Sequence, residues 1–327
     1  MSKRFEEYRY AFFSFFVVFL MLVPIQMFIE RPMLLAERFL TGGGWITIFL
    51  LAFYAAFLVF KMQNPKETAK WRKRSWLLFS IVFFVQLALG LIGFEKFLMT
   101  GKLHFPIPAL IAAGPLYRAQ IGFMPILFVS TIILSGPAWC SHLCYFGSFD
   151  YLAALGNKPV RKAIKNIWAL KNTILILVIV SALILRLSGA SFMLASVLAL
   201  AFGISGLAII FIISPKMNKM YHCAVYCPIG TIIRYAKYIN PFRMKIDSSC
   251  DNCMACITSC RYDALNIHDV KNRKPGSTCT YCGDCLPSCK SQSIQYRFPG
   301  LKPQTARILW IIITVSLHAV FMGLARI

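Results

Sequence analysis

Eight of the twelve cysteines in this 327-residue chain fall in one short stretch. They read Cys250-Asp-Asn-Cys253-Met-Ala-Cys256-Ile-Thr-Ser-Cys260 and, after eighteen residues, Cys279-Thr-Tyr-Cys282-Gly-Asp-Cys285-Leu-Pro-Ser-Cys289. Each run is C-x2-C-x2-C-x3-C. Three thiolates two residues apart grip three corners of one cubane, because the short loop wraps around it. The fourth cysteine points away and ligates the cubane of the other run. The spacing therefore predicts one [4Fe–4S] cluster on Cys250, Cys253, Cys256 and Cys289, and a second on Cys279, Cys282, Cys285 and Cys260. Structural zinc also uses C-x2-C, but it does not ask for a third cysteine at the same interval in both halves.

The other four cysteines form two pairs, Cys140 with Cys144 and Cys223 with Cys227, offset by a constant 83 residues. Each pair reads C-x3-C-x-x-G-[ST], closing on Gly147-Ser148 and Gly230-Thr231. Cysteines four apart on a helix share one face, and two such faces brought together surround one point. Three readings stay open. The pairs ligate a third centre (an iron or a [2Fe–2S] cluster), they are thiol/disulfide redox pairs, or they are packing cysteines, the commonest fate of a free thiol. Packing alone would not repeat the interval together with the Gly-[Ser/Thr] that follows.

The elements that carry these motifs are membrane helices. The chain is 58% hydrophobic and 14% charged, with a mean hydropathy of +0.65, and several apolar runs reach spanning length. About seven spans are expected: Tyr10–Ile29, Gly44–Phe60, Ser75–Phe94, Gln120–Trp139, Asn172–Leu187, Ser191–Ser214 and Ile308–Leu324. The stretch Glu95–Arg118, with Pro106, Pro108 and Pro115, reads as an external loop of re-entrant character. The first apolar run lacks a small-residue cleavage site, so it reads as a retained helix and not a secretory signal. Residues 1–245 form a membrane domain with six spans and both cysteine pairs, 246–298 an inserted cytoplasmic α+β domain, and 299–327 a closing span. In this topology 28 of the 35 Lys/Arg lie on the N-terminal, cytoplasmic side, as the positive-inside rule requires. The formal charge of +23 is thus a topology signal and calls for no nucleic acid. Cysteines confined to motifs leave no disulfide framework, which places their face in a reducing compartment, at an inner membrane. The C-terminus then lies outside.

The Cys250–Cys289 stretch resembles a bacterial-type dicluster ferredoxin over about fifty residues. That resemblance implies outer strands at Lys245–Ile246 and Ser293–Phe298, and a middle hairpin of Ala264–Val270 with the Lys274-Pro275-Gly276 turn. Arg261 and Lys290 stand where such proteins carry proline, and a cation beside a cluster favours its reduced form. From Trp139 to Lys290 the chain also resembles the membrane ferredoxin-type proteins. These include the NapH-type quinol dehydrogenase component of periplasmic nitrate reduction, NosR-type and RdxA/CcoG-type proteins, and the methylamine-utilisation ferredoxin-type proteins. Pro228 follows the family's C-x3-C-P pattern; Tyr145 departs from it.

The resemblance implies an electron-transfer component of a quinol-linked oxidoreductase. Two [4Fe–4S] clusters would exchange electrons between the quinone pool, as substrate, and a partner redox protein or reductase subunit. The alternative is an accessory or maturation protein that reduces a metal ion or thiol for a partner respiratory complex. His142 and His222 adjoin the pairs, and His318 lies inside the last span, where ionisable groups tend to be functional. His104, Arg118 and Glu95 in the outer loop suggest a quinone head-group site. No Gly-rich nucleotide loop, nucleophile triad or carboxylate pair is present.

Overall fold

The computed structural model describes residues 2–97, 107–120, 123–156 and 163–324; His104 lies outside them. The protein is a helical polytopic membrane protein with a small α+β insertion. Among the described residues, six helices are long and apolar enough to cross a membrane. They are α1 (Ser2–Phe28), α2 (Gly43–Met62), α3 (Pro65–Leu91), and, after the shorter α4 (Pro108–Arg118), α5 (Phe123–Ser135) and α6 (Tyr145–Ala153), α7 (Ile167–Leu187), α8 (Phe192–Ala208), which runs on into α9 (Ser214–Met217), and finally α13 (Pro303–Leu324). Between α9 and α13 come α10 (Pro228–Ala236), β1 (Arg243–Ile246), α11 (Ala255–Ser259), α12 (Ile267–Lys271) and β2 (Ile294–Arg297).

The expected span at Gln120–Trp139 is corrected. Its helix, α5, has 13 residues and stops at Ser135, too short for a hydrocarbon core of ~30 Å. Gly136 turns the chain with φ +56° and Pro137 follows. The side-chain amide of Asn240 donates to the carbonyls of Ile133 (2.8 Å) and Ile132 (3.3 Å), capping the α5 terminus. The stretch expected as an external loop contains α4, which packs against α7.

Local chemistry explains the main helix boundaries. Asn64 caps α3 by accepting from the Lys66 N–H, and Pro65 occupies the first turn, where its missing donor costs nothing. Arg307 closes α2 by donating to the carbonyls of Met62 and Gln63, both at 2.7 Å. A cation there also complements the helix dipole. Two-thirds of the apolar window of α13 (67%) is buried, against 11% in α7 and α8. The bundle is therefore built around α13, while α7 and α8 present apolar faces to lipid.

The insertion rests on that central helix. Strands β1 and β2 pair antiparallel, Arg243 opposite Arg297 and Ile246 opposite Ile294. Trp310 of α13 is met by the rings of Phe242, Tyr281 and Tyr296 at 5.2–5.9 Å. In place of the expected middle hairpin stands α12, nucleated by a capping box in which Asn266 and Asp269 exchange hydrogen bonds. That reciprocal pair satisfies two orphan helix donors and favours a helical turn over a strand.

Buried ion pairs tie the insertion to the bundle: Lys219 meets Asp263, and a second pair is centred on Arg72. Arg72 of α3 is fully buried; its Nε and Nη2 donate to Asp284 at 2.8 and 2.6 Å, and its Nη1 to the Ser141 carbonyl at 3.0 Å. Its guanidinium lies 4.6 Å from the Tyr151 ring centroid and 5.1 Å from that of Trp76. Removing one partner of such a pair strands a charge in the interior. Arg72→Met should cost about 3–5 kcal/mol and accelerate proteolysis within the insertion, read by thermal unfolding and limited digestion in detergent. An unchanged melting temperature would show that the fork is not what holds the insertion.

Candidate functional site

The two cysteine pairs sit on the same unusual backbone. Each begins in a five-residue π turn, Trp139–Leu143 and His222–Tyr226. Each turn is closed by an N–H to carbonyl bond of 2.8 Å, from Cys144 to Trp139 and from Cys227 to His222. The second cysteine then turns extended (φ/ψ −85/117° and −69/119°) and starts the next helix, α6 or α10. The pairs therefore do not lie on α-helical faces. Wide turns of this kind are frequent at functional sites.

The repeated interval to glycine now has a cause. A Cβ on Gly230 would stand 2.7 Å from the Cys223 carbonyl oxygen, and one on Gly147 would stand 3.0 Å from that of Cys140 and 2.4 Å from Trp76. Each helix start folds back onto the carbonyl of the pair's first cysteine, and only glycine fits. Tyr145 in place of proline leaves this geometry intact; its ring stacks on Phe83 with centroids 3.8 Å apart.

The four thiols Cys140, Cys144, Cys223 and Cys227 line one cavity, joined by Trp139 and His222. In the insertion the other eight separate into the two crossed sets expected from spacing. Cys260, Cys279, Cys282 and Cys285 line an inner cavity of about 390 Å³. Cys250, Cys253, Cys256 and Cys289 line an outer one of about 280 Å³. All twelve cysteines are free thiols.

Electrostatics distinguishes the inner set from the outer. Burial pushes Cys260 up to about 12, helped by Cys279, and holds Cys282 and Cys285 well above the ordinary thiol value. In the outer set burial raises Cys256 to about 11, while Cys253 is exposed. Partial burial pushes Cys289 up as well. Hydrogen bonds from the Ser293 hydroxyl, the Ile294 N–H and the Ser291 hydroxyl outweigh it, leaving that thiol below the ordinary value.

Several residues that organise the sites carry no motif. The Tyr262 hydroxyl donates to the Cys140 carbonyl at 2.9 Å while its ring lines the inner cavity. Asp150 is fully buried; it accepts from the Cys223 N–H at 2.8 Å and the Ser214 hydroxyl at 2.6 Å, and burial raises it to about 6. One acid in the apolar run after Gly147, in a chain with only 12 Asp and Glu, was the available signal. Among the histidines, His318 donates its Nδ1 proton to the His142 carbonyl (2.8 Å) and accepts from the Tyr54 hydroxyl (3.1 Å). His142 bonds Ser141. His222 is buried with neither ring nitrogen hydrogen-bonded.

Comparison with known proteins adds one finding. Residues 120–163 and 198–246 match a family model described as a 4Fe-4S binding domain. The two segments carry the two cysteine pairs and cover under a third of the chain. No curated protein and no solved structure matches.

These observations correct the cofactor expectation. Metal ligands must converge at fixed short distances on a common centre. Among the described residues no three His, Cys, Asp or Glu side chains are gathered so that they could hold a metal ion. The thiols are spread around cavity walls instead. The correction covers the two [4Fe–4S] clusters expected on Cys250, Cys253, Cys256 and Cys289 and on Cys279, Cys282, Cys285 and Cys260. It also covers the iron or [2Fe–2S] centre expected at Cys140, Cys144, Cys223 and Cys227. The quinone-linked electron-transfer role built on those centres falls with them, as does the accessory alternative in which those clusters reduce a metal ion or thiol for a partner complex. The resemblance to NapH-, NosR- and RdxA/CcoG-type membrane ferredoxin proteins is corrected likewise, since the matched family model stops short of Cys250–Cys289.

The glycine geometry is directly testable. Gly230→Ala should destabilise the protein by about 1–3 kcal/mol through overpacking and expose Cys223 to maleimide in the folded protein. Wild-type stability with an unreactive Cys223 would contradict the close approach.

Proposed function

We propose that this multi-pass membrane protein carries out thiol–disulfide exchange at the outer cavity of its insertion. The observation that supports this most directly is Cys289, half-buried and hydrogen-bonded by Ser291 and Ser293, in one cavity with the exposed Cys253. A thiol below its ordinary pKa and within reach of solvent is the nucleophilic kind, whereas buried thiols with raised values are inert. Cys289 attacks one sulfur of a partner protein's disulfide as the thiolate. A mixed disulfide forms, and the partner's other sulfur leaves as a thiolate that takes a proton from water. Cys253, deprotonated in turn, attacks the Cys289 sulfur. This closes a Cys253–Cys289 disulfide and releases the partner as a dithiol. The partner is reduced by two electrons and the chain is oxidised by two; a small-molecule dithiol restores it.

The weight of Lys and Arg supports a cytoplasmic position for the N-terminus and the insertion, at an inner membrane. That compartment keeps thiols reduced. The inner thiols and the paired cysteines serve as structural elements in this reading.

Rates of iodoacetamide alkylation against pH, mapped by mass spectrometry on anaerobically purified protein in nanodiscs, test the proposal. Cys289 should react first, with a midpoint below that of an ordinary thiol, and Ser291→Ala with Ser293→Ala should raise that midpoint. Cys289→Ser should slow reduction of a disulfide peptide at least tenfold. Uniform alkylation, or full activity without Cys289, would sink the idea. So would iron and acid-labile sulfide co-purifying with the protein, in keeping with the description of the matched family model.

A further inference from the structure

A fourth cavity lies where α7, α10 and the loop before Cys282 meet. Its wall carries three cations: Lys171, Arg234 and Lys237, at 2%, 6% and 6% exposure. Among the described residues no Asp or Glu lines it. Lys171 donates to the Gly230 carbonyl at 3.3 Å and Lys237 to the Ser277 carbonyl at 2.5 Å. Arg234 lies over the Trp168 ring, 4.0 Å from its centroid. Its Nη1 is enclosed with no hydrogen-bond partner, and so is the Thr280 hydroxyl of the same cavity. Burial drives Lys237 down to about 8 against the pull of Cys279.

Buried charges in proteins are paired, and buried donors are satisfied. Three cations with an orphaned guanidinium nitrogen and an orphaned hydroxyl break both rules unless an anion joins them. We propose that this cavity binds a phosphate-type oxyanion, with Arg234, Lys237 and Lys171 as the charged ligands and Thr280 as a hydroxyl donor. Guanidinium and ammonium groups around a tetrahedral oxyanion give short, charge-assisted hydrogen bonds. The oxyanion has two sources, free phosphate or the phosphate of a lipid headgroup. The second suits the location: Lys171 lies near the start of the span α7, and the half-exposed rings of Trp168, Tyr235 and Tyr238 flank the cavity, as aromatics do at headgroup depth.

The full-length protein should be melted in nanodiscs of two compositions. In phosphatidylcholine discs, inorganic phosphate is titrated against chloride at matched ionic strength. In phosphate-free buffer, phosphatidylglycerol replaces part of the phosphatidylcholine, and retained lipid is counted by native mass spectrometry. A saturable rise in melting temperature with phosphate assigns free phosphate. A rise with phosphatidylglycerol, together with lipid retained through detergent exchange, assigns a headgroup. Arg234→Gln with Lys237→Gln should abolish either rise, Arg234→Lys should weaken binding about tenfold, and the surface change Lys302→Gln should leave it intact. The proposal is overturned if neither arm saturates, if chloride does as well, or if Arg234→Lys binds unchanged. None of these readouts depends on a reactive thiol, so failure here is separable from failure of the exchange reading.

Discussion

A guanidinium withdrawn from water sets the terms for the rest of this molecule. Asp284, the Ser141 carbonyl and two aromatic faces offset the desolvation of Arg72, so all of these must be in place together. Asp284 sits between two thiols of the inner cavity, Cys282 and Cys285, and Ser141 follows the first thiol of the paired-cysteine cavity. The one side chain therefore holds two cysteine sites in register. Parallel ties from Tyr262 to the Cys140 carbonyl and from Ser141 to the Thr280 carbonyl run across the same seam. Their close packing makes the bundle and its insertion one body.

The duplicated cysteine turn shows how little sequence a demanding backbone needs. A π turn, an extended cysteine and a glycine seated on a carbonyl occur twice, 83 residues apart. The surroundings differ: the first copy leans on α3 through Trp76, whose indole N–H donates to the Cys144 carbonyl at 2.8 Å. The second is steadied by Asp150 at the Cys223 N–H. The two halves thus share a backbone while drawing support from different neighbours.

Much of this was legible in the sequence, because it depended on local spacing. Hydropathy found the membrane class, the 83-residue repeat marked two segments of like backbone while misreading them as helix faces, and the cysteine intervals grouped the thiols into the sets that line the cavities. Most of what failed depended on contacts between distant residues. The break at Gly136–Pro137 needs Asn240 from beyond α10 to cap it, so hydropathy alone read a full span there. The capping box of α12 was written in Asn266 and Asp269, but the strand pattern of the ferredoxin resemblance overrode it. The metal expectation failed for a related reason. Spacing fixes which thiols share a wall, not whether their donors converge. Arg72, Asp284 and the Lys171–Arg234–Lys237 group carry no motif and emerge only when separate helices are brought together.

The burial of α13 carries a meaning in time. A chain is made from its N-terminal side, and domains fold in that order where they can. Here α1, α2 and α3 are synthesised well before the helix they surround, and the whole insertion comes between. Until α13 arrives, Arg307 has not reached the end of α2 and Trp310 has not reached the insertion. The early helices must wait in the bilayer with their inner faces uncovered. Assembly of this protein therefore resembles the setting of a keystone more than the addition of successive hairpins.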